Sequence, residues 1–232
     1  MHFCLKTMRA DLRPALILHT TECMHKLNVG CACEHLSVVS TLKYLGVTLD
    51  DEFNWMPQIK NVCNKMRSVI KEIKLTKSKL TPAALRIVYF SLAHSHLIYG
   101  LPAWGTANLT PLKTLQDKLL ITMASKTQLK KEPNVHKLWN VLKLDDLYEL
   151  TVLTLKYFDP NQGAKREHSH FTRTAITNPL TMPLSQNKYH ERTWDYIMPR
   201  LWNKLPPELK ILKSVTSVKE KIKDFYHSQL NS

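Results

Sequence analysis

Apolar residues recur through the middle of the chain at the spacing of an amphipathic helix. After Trp55 they fall three or four positions apart, at Ile59, Val62, Cys63, Met66, Val69, Ile70 and Ile73. Residues at this spacing share one face of an α-helix, so the pattern predicts a helix that buries a single stripe. The polar positions between them are mostly basic, which predicts a positively charged outer face.

Further helices are predicted downstream from capping and periodicity. Thr81-Pro82 and Thr110-Pro111 each offer a threonine oxygen as a cap and a proline in the first turn, where no amide hydrogen is lost. Ser217 and Glu220 have the spacing of a capping box, which predicts a last helix starting near Ser217. Periodicity predicts other helices over residues 134–142, 145–157 and 189–205.

Short β-prone runs precede the helices. Leu27–Cys33 and Leu36–Leu42 are separated by Glu34-His35, a candidate hairpin turn, and Tyr44–Leu49 reads as another strand. The predicted fold class is therefore mostly α with a small N-terminal β-hairpin or sheet edge (α+β). Residues 159–188 contain prolines, a glycine and little periodicity, which predicts a loop or linker.

The charge balance indicates a polyanionic partner. The 232 residues include 33 Lys+Arg and 19 Asp+Glu, a net charge of +14. Such an excess is typical of nucleic-acid binding, with simple solubility as the alternative. The candidate nucleic-acid-binding residues follow the helical stripe: Lys60, Lys65, Arg67, Lys71, Lys74, Lys77 and Lys79. Rings that interleave with basic residues and could stack on bases, or instead pack in the core, are Tyr99, Trp104, Trp194, Tyr196 and Trp202.

The cysteine content and the absence of a visible secretory leader favour an intracellular protein. No secretory leader and no apolar membrane span is visible, so we expect location in the nucleus or cytoplasm, without secretion or membrane insertion. The five cysteines make a disulfide framework improbable. A zinc site is disfavoured because the Cys31-Ala-Cys33 spacing is too short for a zinc knuckle. The other residues considered for zinc are Cys23, His25 and His35.

Asp50-Asp51 is the candidate for metal-dependent chemistry. Two-metal phosphoryl transfer needs carboxylates from separate strands that converge on two ions, and a contiguous pair does not suffice. Aspartate is also a preferred capping residue, so we interpret this pair as a strand end and helix cap ahead of Trp55. Asp145-Asp146 is interpreted as the same kind of cap. We therefore predict no catalytic residue, metal site or cofactor in this chain.

Four strings of the sequence resemble one family in the same order. They are KYLGVTLDDEFNW (43–55), LRIVYFSLAHSHLIYGLPAWG (85–105), LQDKLL (115–120) and RTWDYIMPRLWNKLPPELK (192–210). Together they resemble the C-terminal end of the palm, the thumb and the following region of reverse transcriptases from non-LTR retrotransposons of the jockey and LINE-like type. The resemblance implies a palm remnant over 1–50, a thumb-like helical domain over 51–158, a linker over 159–188 and a C-terminal helical segment over 189–232.

The resemblance also implies what the chain lacks. Family members carry catalytic aspartates upstream, two of them in an aromatic-x-Asp-Asp hairpin, and no Phe/Tyr-x-Asp-Asp occurs here. The implied parent activity is magnesium-dependent, RNA-directed DNA polymerisation, and the expected partners are RNA or an RNA–DNA duplex together with an upstream palm and fingers. We expect binding without catalysis from this chain, which would then start after the active site of a longer polymerase.

Two other functions remain open at this point. The basic helices and the aromatic C-terminal block also suit a protein-interaction module that docks a partner through residues such as Trp202. The chain also fits a degenerate transposon remnant without activity.

Overall fold

The computed structural model describes residues 39–158, 180–185, 190–210 and 215–229. Most of these residues are helical, and a two-stranded antiparallel sheet lies near the N-terminus, which confirms the predicted fold class. The chain divides into two compact units, Met1–Asn61 and Val62–Ser232. None of the helices in the described part of the chain has the length and apolar character needed to cross a bilayer.

The sheet of the first unit is a tight hairpin. Strand β1 (Thr41–Tyr44) pairs with β2 (Val47–Asp50), and Tyr44 lies opposite Val47. The connecting residues Leu45 and Gly46 both have positive φ, 45° and 83°. Two such residues form the turn that matches the twist of a two-residue hairpin, so this turn fixes the register.

The hairpin corrects the sequence prediction in one respect. Tyr44–Leu49 was expected as a single strand, but the turn at Leu45-Gly46 interrupts it. The expectation failed because the usual Asn-Gly or Asp-Gly signal is absent and a leucine adopts the left-handed conformation. The turn predicted at Glu34-His35 lies outside the described residues.

Most of the remaining described residues are helical. The helices are α1 (Met56–Thr76), α2 (Pro82–Val88), α3 (Ser95–Ile98), α4 (Leu101–Trp104), α5 (Thr110–Met123), α6 (Lys126–Lys131), α7 (Val135–Trp139), α8 (Leu144–Phe158), α9 (Trp194–Lys204), α10 (Pro207–Lys210) and α11 (Val215–Gln229). Short 3₁₀ segments occupy Lys77–Lys79 and His190–Arg192.

Helices α2 and α3 are joined by a π-helical segment, Tyr89–His94. The backbone stays in the right-handed helical region through Val88 and Ser95, so the three pieces form one continuous rod. A π turn holds one residue more than an α turn, and such segments are frequent at functional sites. The rod ends before Gly100, whose positive φ of 67° turns the chain into α4.

The core of the second unit gathers around α8. This helix contacts α3, α4, α5, α9 and α11. Trp104 of α4 is fully buried, and its indole Nε1 donates a hydrogen bond to the carbonyl of Tyr99 at 3.0 Å. Large buried aromatic residues contribute much of the apolar area of a core, and a buried indole needs such an acceptor. Trp104 is therefore a packing residue.

The capping predictions have mixed outcomes. Thr81 caps α2 as predicted, because its Oγ1 accepts a hydrogen bond from the amide of Ala84 at 3.2 Å. Thr110 does not cap α5: it is the first residue of the helix, and the Asn108 side chain accepts from its amide at 3.1 Å. A Thr-Pro pair alone does not distinguish a cap from a first helical residue.

Helix boundaries also differ in places from the predicted ones. Helix α7 ends at Trp139, earlier than predicted, because Asn140 adopts the left-handed conformation with φ of 51°. Asp145 and Asp146 lie within the first turn of α8, where acids favour the helix dipole, and are not its cap. Helix α11 begins at Val215, two residues before the predicted start near Ser217.

Candidate nucleic-acid interface

The apolar stripe of α1 is buried as predicted. Its seven apolar residues are at most 6% exposed, and Met66 and Ile73 are completely buried. All seven candidate cations are exposed to solvent. An amphipathic helix of this kind stays anchored by one face while the opposite positions meet solvent. The structure therefore places each predicted binding residue on the surface.

Three of these cations share one side of the helix in the second unit. Arg67, Lys71 and Lys74 follow i, i+4 and i+7 spacing, which puts their side chains in one row. At 1.5 Å of rise per residue the row extends over about 10 Å along the axis. Arg67 is oriented by its neighbour one turn back, because its Nη1 donates to Asn64 Oδ1 at 2.8 Å. We refer to Arg67, Lys71 and Lys74 as the basic row.

Lys65 lies elsewhere on the same helix. Lys71 is six residues further along, which corresponds to a rotation of about 120° around the helix axis. Glu72 is seven residues further along and therefore lies on the same side of the helix as Lys65. Lys65 is close enough to His96 to lower the pKa of that imidazole, after the larger effect of burial. Lys65 is therefore separate from the basic row and has an acidic neighbour.

Lys77 and Lys79 follow the end of the helix. Both belong to the 3₁₀ segment Lys77–Lys79. The Nζ of Lys77 donates a hydrogen bond to the backbone carbonyl of Thr122 at 2.9 Å, which ties the end of α1 to the last turn of α5. Lys77 thus has a structural partner that its sequence position did not indicate. Lys79 makes no such hydrogen bond among the contacts described.

Lys60 belongs to the first unit, where it is exposed in the early part of α1. The same unit shows the structural role of Asp50. Asp50 is only 5% exposed, and its carboxylate accepts hydrogen bonds from the amides of Asn54 at 2.9 Å and Trp55 at 2.8 Å. Both of its oxygens therefore hold the loop that leads into α1. Asp50 ends β2 as predicted, but the predicted helix cap is wrong, because the side chain that accepts from the first amide of α1 is that of Asn54, whose Oδ1 lies 2.9 Å from the Met56 nitrogen. This arrangement does not fit a ligand set for magnesium.

The aromatic candidates differ in their accessibility. Trp104 is core, as described above, whereas Tyr99 is 54% exposed. Trp194, Tyr196 and Trp202 are partly buried. The guanidinium of Arg200 lies 6.0 Å from the centre of the Tyr196 ring, so that ring has a cationic neighbour. Of the five, Tyr99 presents the largest open ring surface.

A buried histidine next to a carboxylate is the arrangement closest to a catalytic pair. His136 is 5% exposed, and its Nε2 lies 2.8 Å from Asp117 Oδ1 while its Nδ1 lies 3.2 Å from the carbonyl of Val141. Both ring nitrogens therefore face acceptors, which anchors α7 to α5. The pair acts as a structural clamp between these helices.

Metal ligands and nucleophiles do not converge in the described residues. No group of three His, Cys, Asp or Glu side chains there is placed to hold a metal ion. Cys63 is 3% exposed, and burial raises the pKa of its thiol although the charge of Arg67 opposes the shift, so the thiol stays protonated and inert. The residues considered for zinc between 23 and 35 lie outside the described part.

Comparison of the chain with protein families, curated proteins and solved structures gives no match of significance.

Sequence reasoning missed one feature, an apolar cavity beside the π segment. Phe90, His94 and Ile98 line it at i, i+4 and i+8 spacing, and Lys219 and Lys223 of α11 complete it. The helical spacing of the first three was available from the sequence. Their juxtaposition with α11 was not, because it depends on packing over more than 120 residues of chain.

Proposed function

We propose that this protein binds the phosphate backbone of RNA or of an RNA–DNA duplex without reading base sequence. We further propose that it is the C-terminal, nucleic-acid-binding part of a reverse transcriptase of the non-LTR retrotransposon type. The four family-like strings support the second proposal, and helix α1 supports the first. Polymerisation would be performed by magnesium-binding aspartates that are not among these 232 residues.

The observation that carries the proposal is the basic row. Arg67, Lys71 and Lys74 are exposed, share one side of a helix and have no acidic residue among them on that side. Aligned cations neutralise successive phosphates and release the counterions condensed on a nucleic acid. Such contacts position a protein on the backbone and carry no sequence information.

The magnitude follows from the number of cations. Each neutralised phosphate contributes about −0.9 to the slope of log K against log salt concentration. Three contacts give a slope of about −2.7, which is an affinity loss of about 40-fold between 50 and 200 mM salt. Other cations of the chain, with its net charge of +14, would make the total slope steeper.

The test is a salt titration of binding to a fluorescent RNA–DNA duplex, read by anisotropy. The variant R67Q/K71Q/K74Q is expected to lose about three units of slope. The matched control K130Q/K131Q/K221Q removes the same charge from exposed positions on α6 and α11 and should lose less than one unit. Equal slopes for the two variants would refute the role of the basic row and leave only a general charge effect.

A second duplex addresses sequence tolerance. Two duplexes of equal length and unrelated sequence should bind with the same affinity and the same slope, because phosphate contacts carry no base information. A difference of more than tenfold would contradict backbone binding.

A further inference from the structure

The cavity beside the π segment measures about 290 Å³. Its walls come from the π segment, α3, the residues after α7, α8 and α11, all within the second unit. Seven of the thirteen lining residues are apolar, among them Phe90, Ile98, Leu142, Leu147 and Leu150. Ligand pockets combine an apolar lining with polar groups that fix the orientation of the ligand.

The two charged side chains that line this cavity are both positive. Lys219 and Lys223 stand one turn apart on α11, and both line it. Within the described lining no carboxylate is present. Arg86 adds a third positive charge nearby, since its guanidinium lies 4.8 Å from the centre of the Phe90 ring.

His94 adds a neutral hydrogen-bonding group to the same wall. Its ring lies 5.0 Å from the Phe90 ring. Burial lowers the pKa of His94, and the charges of Lys223 and Lys219 lower it further, which places both ammonium groups close to the imidazole. The ring is therefore uncharged at neutral pH and adds no positive charge of its own beside the lysines.

The mouth of the cavity is marked by Leu155, which lines it and is 38% exposed. Thr151 and Thr154 donate their hydroxyl hydrogens to carbonyls one turn earlier on α8, at 2.6 Å each. Their hydroxyl hydrogens are therefore used within the helix, and the lining residues with donors for an anion are the two lysines, His94 and Asn140.

From this arrangement we infer that the cavity binds a medium-chain aliphatic carboxylate, with the hydrocarbon tail among the leucines and the carboxylate at Lys219 and Lys223. An apolar interior favours the tail because each buried methylene is removed from water. The two ammonium groups complement the negative head. An uncharged chain of the same length would leave the lysines without a ligand partner.

The volume limits the length of the tail. At the packing density of protein interiors, about 0.74, the cavity holds roughly ten carbon atoms. Each methylene is expected to tighten binding about fourfold until the cavity is full. Affinity should therefore rise from hexanoate to decanoate and level off with longer acids.

The experiment is isothermal titration of the full chain with hexanoate, octanoate, decanoate and dodecanoate, each below its micellar concentration, and with decanol. Decanoate should bind more tightly than decanol by about fivefold for each lysine that contacts the head. K219Q/K223Q should remove that preference. The control variant K221Q removes one charge from an exposed position on the same helix outside the cavity and should retain that preference.

Blocking the cavity provides an independent test. L155W adds bulk at a lining position that is 38% exposed, and it should abolish binding of decanoate while the urea midpoint stays within the range of the wild type. The inference is overturned if affinity does not depend on chain length, if decanol equals decanoate, or if K221Q and K219Q/K223Q weaken binding equally. Absence of binding to the wild type would also overturn it. The basic row does not line this cavity, so the salt dependence of nucleic-acid binding tests the proposed function separately from carboxylate binding.

Discussion

Replacing Gln116 with leucine tests the buried polar link between three parts of the helical unit. Gln116 lies on α5 and is only 1% exposed. Its amide Nε2 donates to the hydroxyl oxygen of Tyr89 and to the carbonyl of Leu142, both at 3.0 Å. The link therefore joins α5 to the π segment and to the chain that enters α8. Leucine preserves most of the volume and removes both donors.

The expected cost follows from these two contacts. A net hydrogen bond contributes about 1 kcal/mol, and a buried acceptor left without its donor costs about 1–3 kcal/mol. Part of this cost is recovered because the Tyr89 hydroxyl can reorient and because leucine adds apolar contact. We expect Q116L to lower the free energy of unfolding by about 2–4 kcal/mol.

Urea denaturation followed by circular dichroism measures this loss. With an m-value of about 3 kcal/mol/M, the midpoint should fall by about 1 M without a change in m. The Y89F variant removes one acceptor only, and in a double-mutant cycle with Q116L it should reveal a coupling of at least about 0.5 kcal/mol. A midpoint shift below 0.2 M for Q116L, or strict additivity with Y89F, would refute this account of the link.

Two further predictions concern a helix cap and a buried histidine. T81A should lower the free energy of unfolding by about 1 kcal/mol, because the hydrogen bond from the Ala84 amide to the capping hydroxyl is lost. T110A should change it by less than about 0.5 kcal/mol, because Thr110 is not a cap. Equal effects of the two variants in urea denaturation would contradict the capping assignment. For His94, burial lowers the pKa from its ordinary value of 6.5, so the unfolded chain binds the proton more readily. Stability should therefore fall as the pH drops below 6.5, and H94Q should show a smaller fall in urea midpoint between pH 7.5 and 5.5; parallel pH profiles would refute it.

Local rules were sufficient to predict much of the helical architecture. The seven-residue stripe of α1 follows helical spacing, and burial of that stripe is the reason for its sequence pattern. Thr81 was identified correctly because a threonine before a proline satisfies an amide that helix geometry leaves free. The mostly helical fold class follows from such local signals, since helices make their hydrogen bonds between near neighbours in the chain.

The features that sequence did not predict depend on conformations or contacts that leave little local trace. The hairpin turn uses Leu45 at positive φ, which a leucine rarely adopts. The π segment at Tyr89–His94 has the apolar content of an ordinary helix. For the candidate interface, the seven cations were named correctly as exposed, but only packing reveals that Lys77 is tied to Thr122, 45 residues away.

The π segment determines how the rod would tolerate a change of length. Because the π segment absorbs one residue more than an α-helix would, deleting one residue from Tyr89–His94 would restore an α-helix and leave the downstream residues in nearly the same rotational phase. Leu97, which is completely buried, would then stay in the core. The same deletion in a regular helix such as α5 would turn the residues after it by about 100°, so a one-residue deletion should be tolerated better in the π segment than in the regular helices.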